Sequence, residues 1–236
     1  MGIAIVTGAS RGIGLEIAGR LVDAGYRTYG FARQFPSETL DSSLFLPVIC
    51  DITDLGALCV AANQIIREEK RVDILVNNAG VGIFGPLDTL EVADIDEMVR
   101  TNVTAPFVLT SQLLFWLRKS SGTIINIAST AALKAHSQGA VYSATKAALT
   151  HFGDCLFEEA RKQGVRVTTI CPDITSDTSF YRDNYFTPSE NEDTFILPGC
   201  IADAVMYALN QRPGTVVSKM VVQPQRFQIT KRPTSS

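Results

Sequence analysis

Apolar residues in this chain gather into short blocks: Ile3 to Thr7, Tyr26 to Ala32, Leu44 to Cys50, Val72 to Val76, Thr123 to Ala128, Val165 to Cys171 and Val216 to Val222. Blocks of this length, mostly apolar, predict strands of a sheet covered on both faces. Between most of them the apolar positions take helical spacing instead, as at Leu15, Ile17, Ala18, Leu21 and Val22 after the first block. Strands alternating with helices predict right-handed βαβ units. The expected fold is therefore α/β, a doubly wound parallel sheet of about seven strands in three layers.

The same pattern sets expectations for individual elements. Thr53 or Asp54 should cap a helix whose Leu55, Leu58, Cys59, Ala62, Ile65 and Ile66 share one face, and whose charged end, Arg67 to Lys70, reads as a solvated terminus. A longer helix is expected from Asp94 to Lys119, bent or interrupted by Pro106. Residues 173–197 mix acids with aromatics and follow no period, so they are assigned as a substrate loop within one domain spanning residues 1–230. Residues 231–236 read as a flexible tail.

Composition narrows the partners. A length of 236 residues with 46% apolar content supports a core without metal or disulfide staples, and no metal site is expected. A net charge of −3 with no basic run argues against nucleic acid and anionic membranes, leaving small molecules. No apolar run approaches the ~18 residues of a membrane span, and the first residues lack the basic and apolar regions of a signal peptide. Five scattered cysteines without C-x-x-C spacing read as buried thiols in a reducing compartment, so the expected location is the cytoplasm.

Candidate chemistry sits at two places. Gly8-Ala9-Ser10-Arg11-Gly12-Ile13-Gly14 falls where the first strand gives way to a helix, so a pyrophosphate could approach the backbone and meet the positive end of the helix dipole. Tyr142 and Lys146 lie at i and i+4 on one helical face, where an ammonium favours the phenolate and lowers the Tyr pKa. Taken alone, that pair is also what a packed Tyr beside an exposed Lys would look like.

Several separated motifs occur in a fixed order: Thr7 to Gly14, Asp51 after the third strand, Asn77-Asn78-Ala79-Gly80 after the fourth, Asn102 in the long helix, Ser129 after the fifth, then Tyr142 with Lys146. On these residues the chain resembles a classical short-chain dehydrogenase/reductase over almost its whole length, with a Rossmann-type fold. The resemblance implies that Tyr142 donates or accepts the proton and that Lys146 holds the nicotinamide ribose. It further implies that Ser129 hydrogen-bonds the substrate oxygen and that Asn102 supports a water-linked proton path. Gly8, Ser10, Arg11, Gly12, Ile13, Gly14, Arg33, Asp51, Asn78, Tyr142, Lys146 and Thr175 would bind the cofactor. Subunits of the family pair through long helices, which implies a homodimer or homotetramer.

Charge argues for NADP(H) over NAD(H). A carboxylate near the end of the second strand usually holds a ribose 2′-hydroxyl, but here that position is Ala32, followed by Arg33, with Arg11 able to reach the same 2′-phosphate. One departure stands out: where the family usually has Pro-Gly after the sixth strand, this chain has Pro172-Asp173. Thr175 is then expected to supply the backbone contact to the carboxamide, and Asp173 either caps the next turn or presents a charge to the ring. His151 and His136 are given no catalytic role. The expected activity is hydride transfer between NADPH and a small carbonyl or secondary alcohol, against the alternative of a cofactor sensor on the same fold.

Overall fold

The computed structural model describes residues 1–37, 39–176, 180 and 191–226, together with the backbone of residues 186–188 and 229–231. Of the expected loop residues, Asp177, Tyr181, Arg182, Asp183, Tyr185 and Glu190 lie outside the described residues, as do the Phe186 side chain and residues 232–236 of the tail.

Seven parallel strands form one sheet: β1 (Ile3–Thr7), β2 (Arg27–Ala32), β3 (Phe45–Ile49), β4 (Ile74–Asn77), β5 (Thr123–Ile127), β6 (Arg166–Pro172) and β8 (Lys219–Val222). Their order is β3-β2-β1-β4-β5-β6-β8, so the winding direction reverses at β1. A crevice opens beyond the carboxyl ends of the strands at such a reversal. Every sheet strand lies within an apolar block read from the sequence, except that β4 and β6 run one residue further.

Alternate residues of the central strands feed opposite layers. Ile3, Ile5, Leu75, Ile124 and Val167 pack with α2 (Leu55–Glu69), α4 (Ala105–Ser120) and α5 (Ala140–Ala160). Ala4, Val6, Val76, Ile125 and Ile170 pack with α1 (Gly12–Asp23) and α6 (Pro198–Leu209). The result is the expected three-layer arrangement. Each fully buried Ile or Leu contributes roughly 2 kcal/mol of transfer free energy, so the layers position everything the loops carry.

Asp54 caps α2, its carboxylate accepting from the Ala57 amide at 3.0 Å. The charged end of α2 is more than a solvated terminus, however. Glu69 accepts from the Tyr29 hydroxyl at 2.6 Å and the Arg27 guanidinium at 2.9 Å. Burial pushes the Glu69 carboxyl up, but these two hydrogen bonds and the Arg27 charge outweigh it and hold the group below its ordinary value.

The expected long helix is two. α3 (Val92–Val99) runs into one wide π turn, Arg100–Thr104, before α4 begins. Pro106 lacks an N–H, and its ring would collide with the carbonyl four residues back, which belongs to Asn102. The interruption therefore falls at Asn102, one turn upstream of the proline.

The 173–197 insertion is pinned at its base. Thr175 bridges Ile196, with the Ser176 amide donating to the Ile196 carbonyl at 2.9 Å and the Ile196 amide to the Ile174 carbonyl at 2.8 Å. Within it, β7 (Phe186–Pro188) pairs antiparallel with β9 (Ile229–Lys231). Lys231, assigned from sequence to the tail, thus belongs to a strand.

Candidate active site

The glycine turn is shaped by what surrounds it. Gly8 at φ 69° and Gly12 at φ 54° occupy the left-handed region. A Cβ on Gly14 would lie 2.1 Å from the Gly8 carbonyl oxygen. Asn78 clamps the turn from β4, its amide donating to the Thr7 carbonyl at 2.8 Å and the Gly8 carbonyl at 3.3 Å. Arg11 precedes α1 without a side-chain cap, and the first turn of that helix holds no acid. Its leading amides therefore lack a competing carboxylate, which is the donor set an anion requires.

A groove of about 420 Å³ runs from this turn across the carboxyl ends of β1, β4, β5 and β6. Gly8, Ser10, Arg11, Gly12, Ile13 and Gly14 line it together with Arg33, Asp51 and Asn78. Arg11 and Arg33 are exposed there, and Ala32, the last residue of β2 before Arg33, is not an acid. Asp51 accepts from the Thr53 amide at 2.9 Å and the Thr53 hydroxyl at 2.8 Å. The amide bond chiefly, aided by the hydroxyl and the Arg33 charge and opposed by burial, holds its carboxyl below the ordinary value.

At the other end Ser129, Tyr142, Lys146 and Thr175 line the same groove. Tyr142 and Lys146 project from one face of α5, and the Lys146 Nζ sits 6.0 Å from the Tyr142 ring centroid. Lys146 is 2% exposed, and its Nζ donates to the Ile127 carbonyl at 2.9 Å. Burial lowers its pKa from 10.5 to about 8, with a small opposing contribution from the Cys171 thiol, so the ammonium prevails at neutral pH. The buried Thr145 and Thr150 hydroxyls donate to the Tyr142 and Lys146 carbonyls at 2.7 and 2.9 Å, which satisfies polar groups that the apolar layer could not.

Ser129 caps the short turn Thr130–Ala132, its Oγ accepting from the Ala131 amide at 3.1 Å. That bond uses a lone pair, and a serine hydroxyl keeps its proton to donate. Asn102 is placed differently from the others. It is fully buried behind the wall, accepting from the Val81 amide at 2.9 Å and donating to the Val81 carbonyl at 2.8 Å and Thr145 Oγ1 at 3.0 Å. The π turn delivers it there, and it joins α5 to the segment after β4.

Asp173 borders the groove beside Pro172 and Thr175. Its Oδ1 accepts from the adjacent Ile174 amide at 2.9 Å, and its Oδ2 accepts from Gln223 Nε2 at 3.1 Å. The bridge to Ile196 uses the Ile174 carbonyl and the Ser176 amide, leaving the Thr175 N–H without a protein partner among the described residues.

A family model for short chain dehydrogenases matches residues 2–185. The chain belongs to the short chain dehydrogenase family. A probable NADP-dependent dehydrogenase of Haemophilus influenzae is similar to it, 30% identical over 234 residues, covering 94% of this chain and 92% of its own. A metagenomic short-chain oxidoreductase solved with NADP is 31% identical, with a TM-score of 0.79 over 94% of this chain and 97% of that one. A 4-hydroxyisoleucine dehydrogenase solved with NADH is 25% identical, with a TM-score of 0.82 over 95% of this chain and 97% of that one. This short chain dehydrogenase is accordingly an oxidoreductase on the Rossmann-type sheet that the strand pattern predicts.

Some groups of this short chain dehydrogenase's site escaped the sequence. The Ile127 carbonyl and the Val81 backbone act as main chain, which leaves no mark on residue type. Phe84 and Phe180 pack the Tyr142 ring at centroid distances of 5.1 and 5.7 Å. Phe180 belongs to the aromatic residues of the 173–197 segment, whereas Phe84 carries no spacing signal. His136 and His151 are both exposed. Cysteines are less buried than expected: Cys50 and Cys171 are buried, but Cys155 and Cys200 are exposed.

Proposed function

We propose that this protein is an NADPH-dependent reductase of small ketones or aldehydes, run in reverse as an alcohol dehydrogenase. The observation that carries this reading is a single groove with an uncapped helix N-terminus and two exposed arginines at one end and Tyr142, Lys146 and Ser129 at the other. Bound in it, a dinucleotide supplies the hydride that no side chain can.

Gly8 to Gly14 and the α1 amides hold the pyrophosphate, and Arg11 and Arg33 pair with the 2′-phosphate, with no acid at Ala32 to repel it. Asp51 and Asn78 border the adenosine half, Lys146 holds the nicotinamide ribose, and the Thr175 N–H meets the carboxamide. Ser129 donates to the substrate oxygen. Tyr142 transfers its proton to that oxygen as negative charge develops, and the Lys146 ammonium stabilises the phenolate left behind. Asn102 holds the Val81 segment and α5 at a fixed spacing, and so supports the path by which Tyr142 is reprotonated. Phe84 and Phe180 make the substrate side apolar, which favours a ketone with a flat, uncharged substituent.

The same reading includes a cytoplasmic location and a homodimer or homotetramer. Steady-state rates with NADPH and NADH across a panel of aryl and alkyl ketones test it. A kcat/KM at least tenfold higher with NADPH supports the assignment, and a preference for NADH overturns the cofactor choice.

A further inference from the structure

The groove has a direction. The glycine turn and the two arginines occupy the β1–β2 side, so Pro172 to Thr175, at the ends of β5 and β6, would border the far half of a dinucleotide. A carboxylate stands at that end. Asp173 is held there on three sides: its amide donates to the Val222 carbonyl at 2.9 Å, Oδ1 accepts from Ile174 and Oδ2 from Gln223. No cation forms an ion pair with it among the described residues. Lys146, the cation of this end, directs its Nζ to the Ile127 carbonyl instead.

We infer that Asp173 sets the redox poise of the bound nicotinamide by favouring its oxidised over its reduced form. The inference rests on the NADP(H) reading above. Accepting a hydride, two electrons and one proton, removes the single positive charge of the oxidised ring, so a fixed carboxylate interacts strongly with one state and weakly with the other. Only such a differential interaction shifts an equilibrium. A full charge lining the same end of the groove, at a partly solvated site, would change the affinity ratio by about tenfold. For a two-electron couple that is about 30 mV. The shift makes NADPH a stronger hydride donor and biases the enzyme toward carbonyl reduction.

Dissociation constants for NADP⁺ and NADPH, measured by titration calorimetry on the wild type, Asp173→Asn and Asp173→Gly, test this without turnover. The ratio Kd(NADPH)/Kd(NADP⁺) should fall about tenfold in both variants. Asparagine keeps the shape, its oxygen can still accept from the Ile174 amide, and its NH2 can donate to the oxygen of a turned Gln223 amide, so it separates charge from packing. A ratio unchanged within twofold, or equal weakening of both forms, overturns the inference while leaving the NADP(H) reading standing. A wild type that binds neither nucleotide overturns both.

Discussion

The Lys146 ammonium donates to the Ile127 carbonyl at 2.9 Å from a side chain that is 2% exposed. This bond ties α5 to the end of β5, two residues before Ser129, and so fixes the spacing between the groups proposed to act on one substrate oxygen. It also keeps a charge out of water. A pKa depressed from 10.5 to about 8 corresponds to roughly 3 kcal/mol that the folded protein gives up to hold that ammonium.

Lys146→Met should therefore stabilise the nucleotide-free protein at pH 7, by up to about 3 kcal/mol, while abolishing turnover. Between pH 8 and 10.5 the unfolded wild-type chain binds more protons at this site than the folded one does, so wild-type stability gains there. The advantage of the methionine variant should shrink across that window. Urea unfolding at pH 7 and pH 10 measures it.

Gly14→Ala would push a Cβ to 2.1 Å from the Gly8 carbonyl, a backbone atom that Asn78 also holds. A loss of at least about 2 kcal/mol in unfolding free energy is expected, together with loss of dinucleotide binding. Gly199→Ala, where a Cβ would meet nothing within 4 Å, should have little effect on either measurement.

Asn102→Ala would leave the buried Val81 amide and carbonyl without their side-chain partner, costing about 2–4 kcal/mol. Asn102→Asp restores the acceptor but not the donor to Val81 and Thr145, so it should recover less than half of that loss. Denaturation midpoints of the two variants make the comparison.

Glu69→Gln tests the anchor between α2 and β2. Because the folded carboxyl titrates below its ordinary value of 4.5, its stabilisation is present above that pH and is lost as the pH falls through the folded value. The variant should be less stable by about 1–2 kcal/mol at pH 7. Its stability should also fall less steeply below pH 4.5 than that of the wild type, as followed by circular dichroism.

The strands were legible because burial of the central strands on both faces demands blocks rich in apolar residues, and all seven strands of the sheet fall in the expected places. The groove's lining was legible where chemistry needs a side chain, as at Arg33, Ser129, Tyr142 and Lys146. What stayed hidden was carried by the main chain or by distant partners. Pro106 announced an interruption, but only its reach to the Asn102 carbonyl places that interruption one turn upstream. Glu69 looked solvated because its partners, Arg27 and Tyr29, lie on a strand 40 or more positions earlier. Phe84 became a neighbour of Tyr142 only through the fold.

Tyr142→Phe tests the central claim most directly. The substitution removes one hydroxyl and keeps the ring between Phe84 and Phe180. The variant should bind NADPH within about threefold of wild type, yet reduce a ketone that the wild type turns over at least about 1,000-fold more slowly, as general acid catalysis of this kind implies. A variant that reduces the ketone within tenfold of the wild-type rate would contradict the account.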